Sequence, residues 1–217
     1  MKKTTRNPRL RKALLTLGAA LLLVGVTLGV TVAYLTSQDE VVNTFTVGDV
    51  EIKLDEAEAN EDGSLVPGAD RVQANNYKLV PGRTCNKDPM VTVLQGSEPC
   101  YVRMTVTFSH ASELDEIFEP GGADLINIFN GYDATNWIYQ GNAKDAATNT
   151  RTYTFWYKAP VTAENDVALD ALFDSITVPG AITNEQLATI EGMTITVNAY
   201  AIQAEGFENA ADAWAAF

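Results

Sequence analysis

One histidine, two cysteines and, in the last 184 residues, only nine basic side chains: these shortages exclude whole classes of function. With His110 standing alone, a His-Glu-x-x-His zinc site cannot be built, nor can any other motif that needs two imidazoles. The chain has no Gly-x-Ser-x-Gly nucleophile elbow and no Gly-x-x-x-x-Gly-Lys phosphate loop. Acids are the one abundant chemical group. Neighbours such as Asp55/Glu56, Glu61/Asp62 and Asp115/Glu116 arise by chance among 28 of them and do not argue for paired-carboxylate glycosidase chemistry. The expectation is a protein without catalytic residues, metal or cofactor.

The charge is distributed as unevenly as it is composed. Lys2, Lys3, Arg6, Arg9, Arg11 and Lys12 form a basic leader, and an uncharged, mostly apolar run extends from Ala13 to Val32. Thr31-Val32-Ala33 then places small residues where signal peptidase requires them, so cleavage is expected between Ala33 and Tyr34. The competing reading is an uncleaved anchor, because about 20 apolar residues can span a bilayer. Glycine and threonine dilute this run, which favours cleavage and leaves no stable membrane anchor afterwards. Either way, the part after Ala33 works outside the cytoplasm. It holds all 28 acids against nine bases, a formal charge of −19 that argues against binding nucleic acid or anionic lipid.

Cys85 and Cys100 both lie in the exported part, with 14 residues between them. In an oxidising compartment such a pair is expected as a disulfide. Closing a loop of that length stabilises by about 3 kcal/mol on the chain-entropy model. Two free thiols are the alternative; metal ligation lacks a second pair of ligands.

Alternation dominates the chain after Ala33. From Tyr101 to Phe108, Val102, Met104, Val106 and Phe108 share one face. The same pattern puts Met193, Ile195, Val197, Ala199 and Ala201 together, and likewise Tyr153, Phe155 and Tyr157. Segments of this kind, rich in Thr, Val and aromatics, are half-buried antiparallel strands. Near the start, Phe45 and Val47 share a phase that reverses across Gly48-Asp49 to Val50, Ile52 and Leu54. That slip predicts a bulge, a bend or a change of sheet at Gly48. Shorter runs at Met90–Leu94, Trp137–Tyr139 and Ile176–Val178 bring the total to roughly seven or eight strands, which predicts an all-β antiparallel sandwich of jelly-roll type.

Helices are expected to be few. Thr183-Asn184-Glu185-Gln186 has capping-box spacing, with Gly192 able to end a short helix. Phe207, Ala210, Ala211 and Trp214 give an amphipathic stripe near the end of the sequence, and Asp124 to Asn130 suits helix or strand equally. The acidic stretch Asp55–Gly68 reads as a solvent loop, and two Leu-Val-Pro-Gly sequences, at Leu65 and Leu79, as turns. His110 is expected on an exposed loop. Asn60-Glu61-Asp62-Gly63 reads as a turn rather than a Ca²⁺ loop. Trp137, Tyr139, Tyr153, Trp156 and Tyr157 are expected as core or cross-strand aromatics rather than as a sugar platform.

Several short motifs together suggest a family. Gly29-Val30-Thr31-Val32-Ala33-Tyr34-Leu35-Thr36 followed by Asn43-Thr44-Phe45-Thr46-Val47-Gly48 resembles the export signal and mature start of TasA and camelysin-type proteins. Leu79-Val80-Pro81-Gly82 and Cys100-Tyr101-Val102-Arg103 resemble the next block of that family, and Ala199 to Phe207 resembles its tail. The resemblance implies processing by a SipW-type signal peptidase in a Gram-positive bacterium. It further implies secretion to the extracellular matrix or cell surface as a jelly-roll subunit of biofilm fibres, with accessory matrix proteins as further candidate partners. Self-assembly into filaments is implied to proceed by donor-strand complementation, with residues 1–33 as signal, 34–48 as donor segment and 49–217 as the sandwich domain. Within that segment Tyr34, Leu35, Val42, Phe45 and Val47 form the assembly strand. Camelysin relatives are described as metallopeptidases, which makes a secreted metalloendopeptidase the runner-up. A third reading is a monomeric surface-binding module. No Leu-Pro-x-Thr-Gly sorting signal is present.

Overall fold

In the computed structural model, residues 48–118 and 128–217 are described, so the signal, its cleavage point and the assembly segment from Tyr34 to Val47 lie outside the described residues. The alternation beginning at Tyr101 becomes strand β4 (Cys100–Ser109), where Val102, Met104, Val106 and Phe108 are at most 2 % exposed. Nine of its residues pair with β10 (Ile195–Gln203), from Phe108 opposite Ile195 to Cys100 opposite Gln203. Its other side pairs with β7 (Thr150–Tyr157), whose Tyr153 and Phe155 point inward, and β7 pairs in turn with β6 (Trp137–Asp145). The order β10-β4-β7-β6 makes the largest sheet.

Two smaller antiparallel sheets accompany it. One runs β1-β3-β8 (Ile52–Asp55, Met90–Val93, Val167–Ala168), the other β2-β9-β5 (Thr84–Asn86, Ser175–Thr177, Phe129–Asn130). Val91, Val93, Leu172, Phe173 and Ile176 join the inward residues of the large sheet in one apolar core. Phe129 sits among its aromatics, with ring centroids 4.7 Å from Phe173, 5.4 Å from Tyr153 and 5.7 Å from Phe108. Fully burying side chains of this size contributes about 1.5–3 kcal/mol each, which is why the alternating strands specify the fold. The molecule is the all-β antiparallel sandwich that the alternation predicts. Asn130, left open between helix and strand, is in β5 with Phe129.

Local chemistry explains the turns. In both Leu-Val-Pro-Gly sequences the glycine adopts a positive φ, 74° at Gly68 and 77° at Gly82. The residue after each donates back to the valine carbonyl, Ala69 N to Val66 O and Arg83 N to Val80 O. Proline then glycine at the two central positions is what a type II turn requires. Helix α2 (Asn184–Thr189) carries the full capping box: Thr183 Oγ1 accepts from Gln186 N, and Gln186 Oε1 accepts from Thr183 N.

Four readings of the sequence need correction. His110 is half-buried rather than exposed: its carbonyl accepts the first bond of helix α1 (Ala111–Phe118) from Leu114, and its φ of 58° places it in the left-handed region. The terminal stripe is rotated. Helix α3 (Ala210–Ala216) starts from an Asn209 cap and buries Ala213 and Trp214, leaving Ala211 exposed and Phe207 outside the helix. Arg103 anchors it, lying 4.4 Å from the Trp214 ring, 4.9 Å from Tyr200 and 4.8 Å from Phe217.

The third correction concerns the acidic stretch from Asp55, which does not begin as a solvent loop. Asp55 and Glu56 are 4 % and 5 % exposed. Arg71 returns over them, donating from Nε to Asp55 Oδ1 at 2.6 Å and from Nη1 to Asp88 Oδ2 at 2.9 Å, while Lys53 reaches Asp55 Oδ2 at 2.8 Å. Backbone bonds between Glu56 and Val72 close the loop. Burial alone raises the Asp55 pKa, but the hydrogen bonds and charges of Lys53 and Arg71 outweigh it and hold the carboxyl below its ordinary value. A carboxylate depressed in this way contributes stability that is complete above the unfolded pKa of about 3.9 and is lost as the pH falls through the folded value. Urea titrations from pH 7 down to pH 2 should therefore show an acid limb that Asp55→Asn removes in part; an unchanged limb would mean the network carries no linkage.

The fourth is the disulfide. Cys85 and Cys100 are both free and both buried. Cys85 is in β2 opposite Ile176, whereas Cys100 begins β4, with Gln203 on one side and a bridge to Val161 on the other. The connection between them includes β3, which belongs to the remaining sheet, so the two cysteines and the strand between them lie in three different sheets.

Candidate functional site

Two strands bound the large sheet, and they end it differently. At β6 the register shifts between Tyr139 and Gly141, where Gly141 has a φ of 116°. A bulge of this kind disturbs the ladder an incoming strand would need, and Lys144 further along adds a charge to the same edge. By contrast, β10 keeps one register with β4 over all nine residues and pairs, among the described strands, with β4 alone. An edge row of N–H and C=O groups that no strand pairs is in general a template for another chain.

Beside that edge opens a cleft of about 970 Å³. Ile195 and Val197 of β10 form one wall, with Leu187 of α2; Ile176 and Val178 around β9 and Leu114 and Phe118 of α1 supply further apolar surface. The segment Gln73–Leu79, which has no regular secondary structure, also lines the cleft. The pinned acidic loop holds Gln73–Leu79 in place through Asn75, whose carboxamide accepts from Ala59 N at 2.8 Å and donates to Ala57 O at 2.9 Å.

One end of the cleft is polar. Lys87 and Glu56 line it and pair at 2.5 Å, both nearly buried, and Glu56 Oε1 also accepts from Asn75 Nδ2 at 3.0 Å. Tyr77 stands beside them with its hydroxyl donating to Asn86 O at 2.6 Å; burial pushes its pKa upward, and the Glu56 charge adds to the shift.

Of the expected site residues, Cys85 lines the cleft and Cys100 does not. Burial raises both thiol pKa values, that of Cys100 to about 11. Both thiols should therefore resist iodoacetamide at neutral pH in the folded protein, and two alkylations should appear after unfolding without reductant. A cross-linked peptide in the unreduced digest would restore the disulfide. His110 lies at the β4–α1 junction, where Ser109 Oγ and His110 Nδ1 are 2.9 Å apart and the same Oγ accepts from Thr194 N. The turn Asn60–Gly63 is closed on itself, with Asp62 Oδ1 accepting from Ser64 N and Oγ. Trp137 and Tyr153 are buried in the core, as expected of strand aromatics.

No family model, curated protein or solved structure matches the chain. Sequence reasoning missed the cleft as a unit. The alternation of Ile195 and Val197 could have pointed to it, but its walls are drawn from residues between Leu54 and Val197 that no local pattern connects.

Proposed function

We propose that this protein is an exported, non-enzymatic structural subunit of extracellular fibres or biofilm matrix, and that residues 34–47 of one copy insert beside β10 of the next. The observation that carries this reading is the unbulged β10 edge opening on an apolar cleft, set against the bulged edge at β6. Strand addition uses both features: the ladder supplies affinity, and alternate side chains of the guest fill the trough. Apolar side chains such as Leu35, Val42 or Phe45 suit that filling, with Leu35 and Phe45 on one face of an extended segment and Val42 on the other. Each, if fully buried, contributes roughly 1.5–3 kcal/mol. Extended over its 14 residues, the segment spans about 46 Å, long enough to leave its own domain and reach another.

Electron microscopy of the concentrated exported chain tests this. Unbranched filaments are expected, with no cleavage of casein. A monodisperse monomer whose protease activity is lost to chelator would replace the proposal with the metalloendopeptidase reading. A monomer that is inert but binds glycan would replace it with a surface-binding module.

A further inference from the structure

The polar end of the cleft has a property that an apolar trough does not need. Lys87 is 8 % exposed and Glu56 5 % exposed, so a buried ion pair stands where apolar side chains would fit. Desolvating two such charges is costly, and a well-packed apolar pair is often as stable or more so. Glu56 has both carboxylate oxygens engaged, one by Lys87 and one by Asn75. Lys87 does not have its donors engaged to the same degree. An ammonium carries three N–H donors. Among the described residues, Lys87 Nζ meets one acceptor, Glu56 Oε2.

We infer that Lys87 fixes the register of the strand received by the cleft, donating its two remaining N–H groups to main-chain carbonyl oxygens of residues 34–47 from a second copy. The inference rests on the strand-insertion reading of the same cleft. A carbonyl is preferred over a carboxylate because Glu56 already balances the ammonium, and Asp55 lines the same end. The guest has no Lys or Arg, so its carbonyls depend on donors from the host. Along β10 those donors repeat every second residue and would accept a guest slipped by two; a single buried ammonium at one end does not repeat. Lys87 is thus a positioning residue, and its pairing with Glu56 keeps it charged and in place before the guest arrives.

A fluorescent synthetic peptide of residues 34–47 titrated into the freshly diluted exported chain tests this, with filament growth followed in parallel. The double variant Glu56→Gln/Lys87→Met removes both charges at nearly constant volume. It should melt close to wild type, bind the peptide about tenfold more weakly, and give filaments of irregular subunit spacing. Equal binding and regular spacing in a folded variant would overturn the role of Lys87 while leaving strand insertion standing. Should the double variant melt early, Lys87→Gln, which can still donate to Glu56, makes the same comparison. The peptide carrying Asp39→Asn and Glu40→Gln should bind wild type unchanged; weakened binding would place a carboxylate on Lys87 and overturn the carbonyl assignment. If wild type neither binds the peptide nor forms filaments, strand insertion fails, and the role of Lys87 fails with it.

Discussion

Removing Tyr34 to Asn43 should leave a folded, soluble monomer that no longer forms filaments. Among the described residues, β4 pairs with β10 and β7 around a core in which Val102, Met104, Val106, Trp137, Tyr153 and Phe155 are all inaccessible to solvent. What the deletion removes is the guest. Thermal unfolding of the truncated chain should stay within a few degrees of the intact monomer, because the three sheets and their registers are untouched. Assembly followed by light scattering should fall to background, and added peptide of residues 34–47 should slow growth of the intact chain by competing for the same cleft. If the segment instead folds back as an edge strand of its own domain, truncation lowers stability. Normal polymerisation by the truncated chain would contradict strand insertion.

Trp137→Ala should cause the largest loss of stability available from a single core position. The indole is fully buried, packs edge-on against Tyr157 at 5.1 Å, and donates from Nε1 to Asp170 O at 2.9 Å. Tyr132 donates to the main-chain carbonyl of Trp137, a bond the substitution leaves in place. Truncating a buried Trp to Ala costs about 3–5 kcal/mol, since the transferred surface and the cavity both count against the folded state. For a domain of this size each kcal/mol lowers Tm by roughly 2–4 °C, so a fall on the order of 10 °C is expected. Trp137→Phe keeps most of the volume but leaves the Asp170 carbonyl without its donor, and should recover about half the loss. A change under about 1 kcal/mol for Trp137→Ala would mean that the core around β6 repacks freely.

How far the sequence could be read depends on where each residue finds its partners. In β4, β7 and β10 the partners of an inward side chain lie on the same alternating face, so Val102 or Phe155 announces its burial locally. The capping box at Thr183 is equally local, as are the two Pro-Gly turns. The burial of Asp55 and Glu56 is different: Arg71 lies 16 residues from Asp55, and Lys87 lies 31 from Glu56. A short acidic segment looks solvent-bound until those distant cations are placed over it. Helix α1 does carry a local signal, since Ala111, Leu114 and Phe118 recur at i, i+3 and i+7, but over eight residues that pattern spans only two turns. The disulfide expectation failed for the same reason as the cleft stayed hidden. Sequence distance between Cys85 and Cys100 says nothing about the sheet to which each strand belongs.

If the strand-insertion proposal holds, the unequal edges of the large sheet also bear on the kind of polymer that forms. A molecule with two clean edges could grow sideways into broad ribbons, or pair with a two-fold-related neighbour and stop. Of the two edge strands of the large sheet, β6 is interrupted at Gly141 and β10 is not, so under the strand-insertion proposal β10 is the receiving edge of that sheet. Contacts made through it are heterologous: donor and acceptor are different surfaces, and nothing in the contact closes a ring of two. A fibre grown by strand insertion would therefore have a direction. One end would present an unfilled trough and the other an unused tail, so the two ends would grow at different rates and be capped by different molecules.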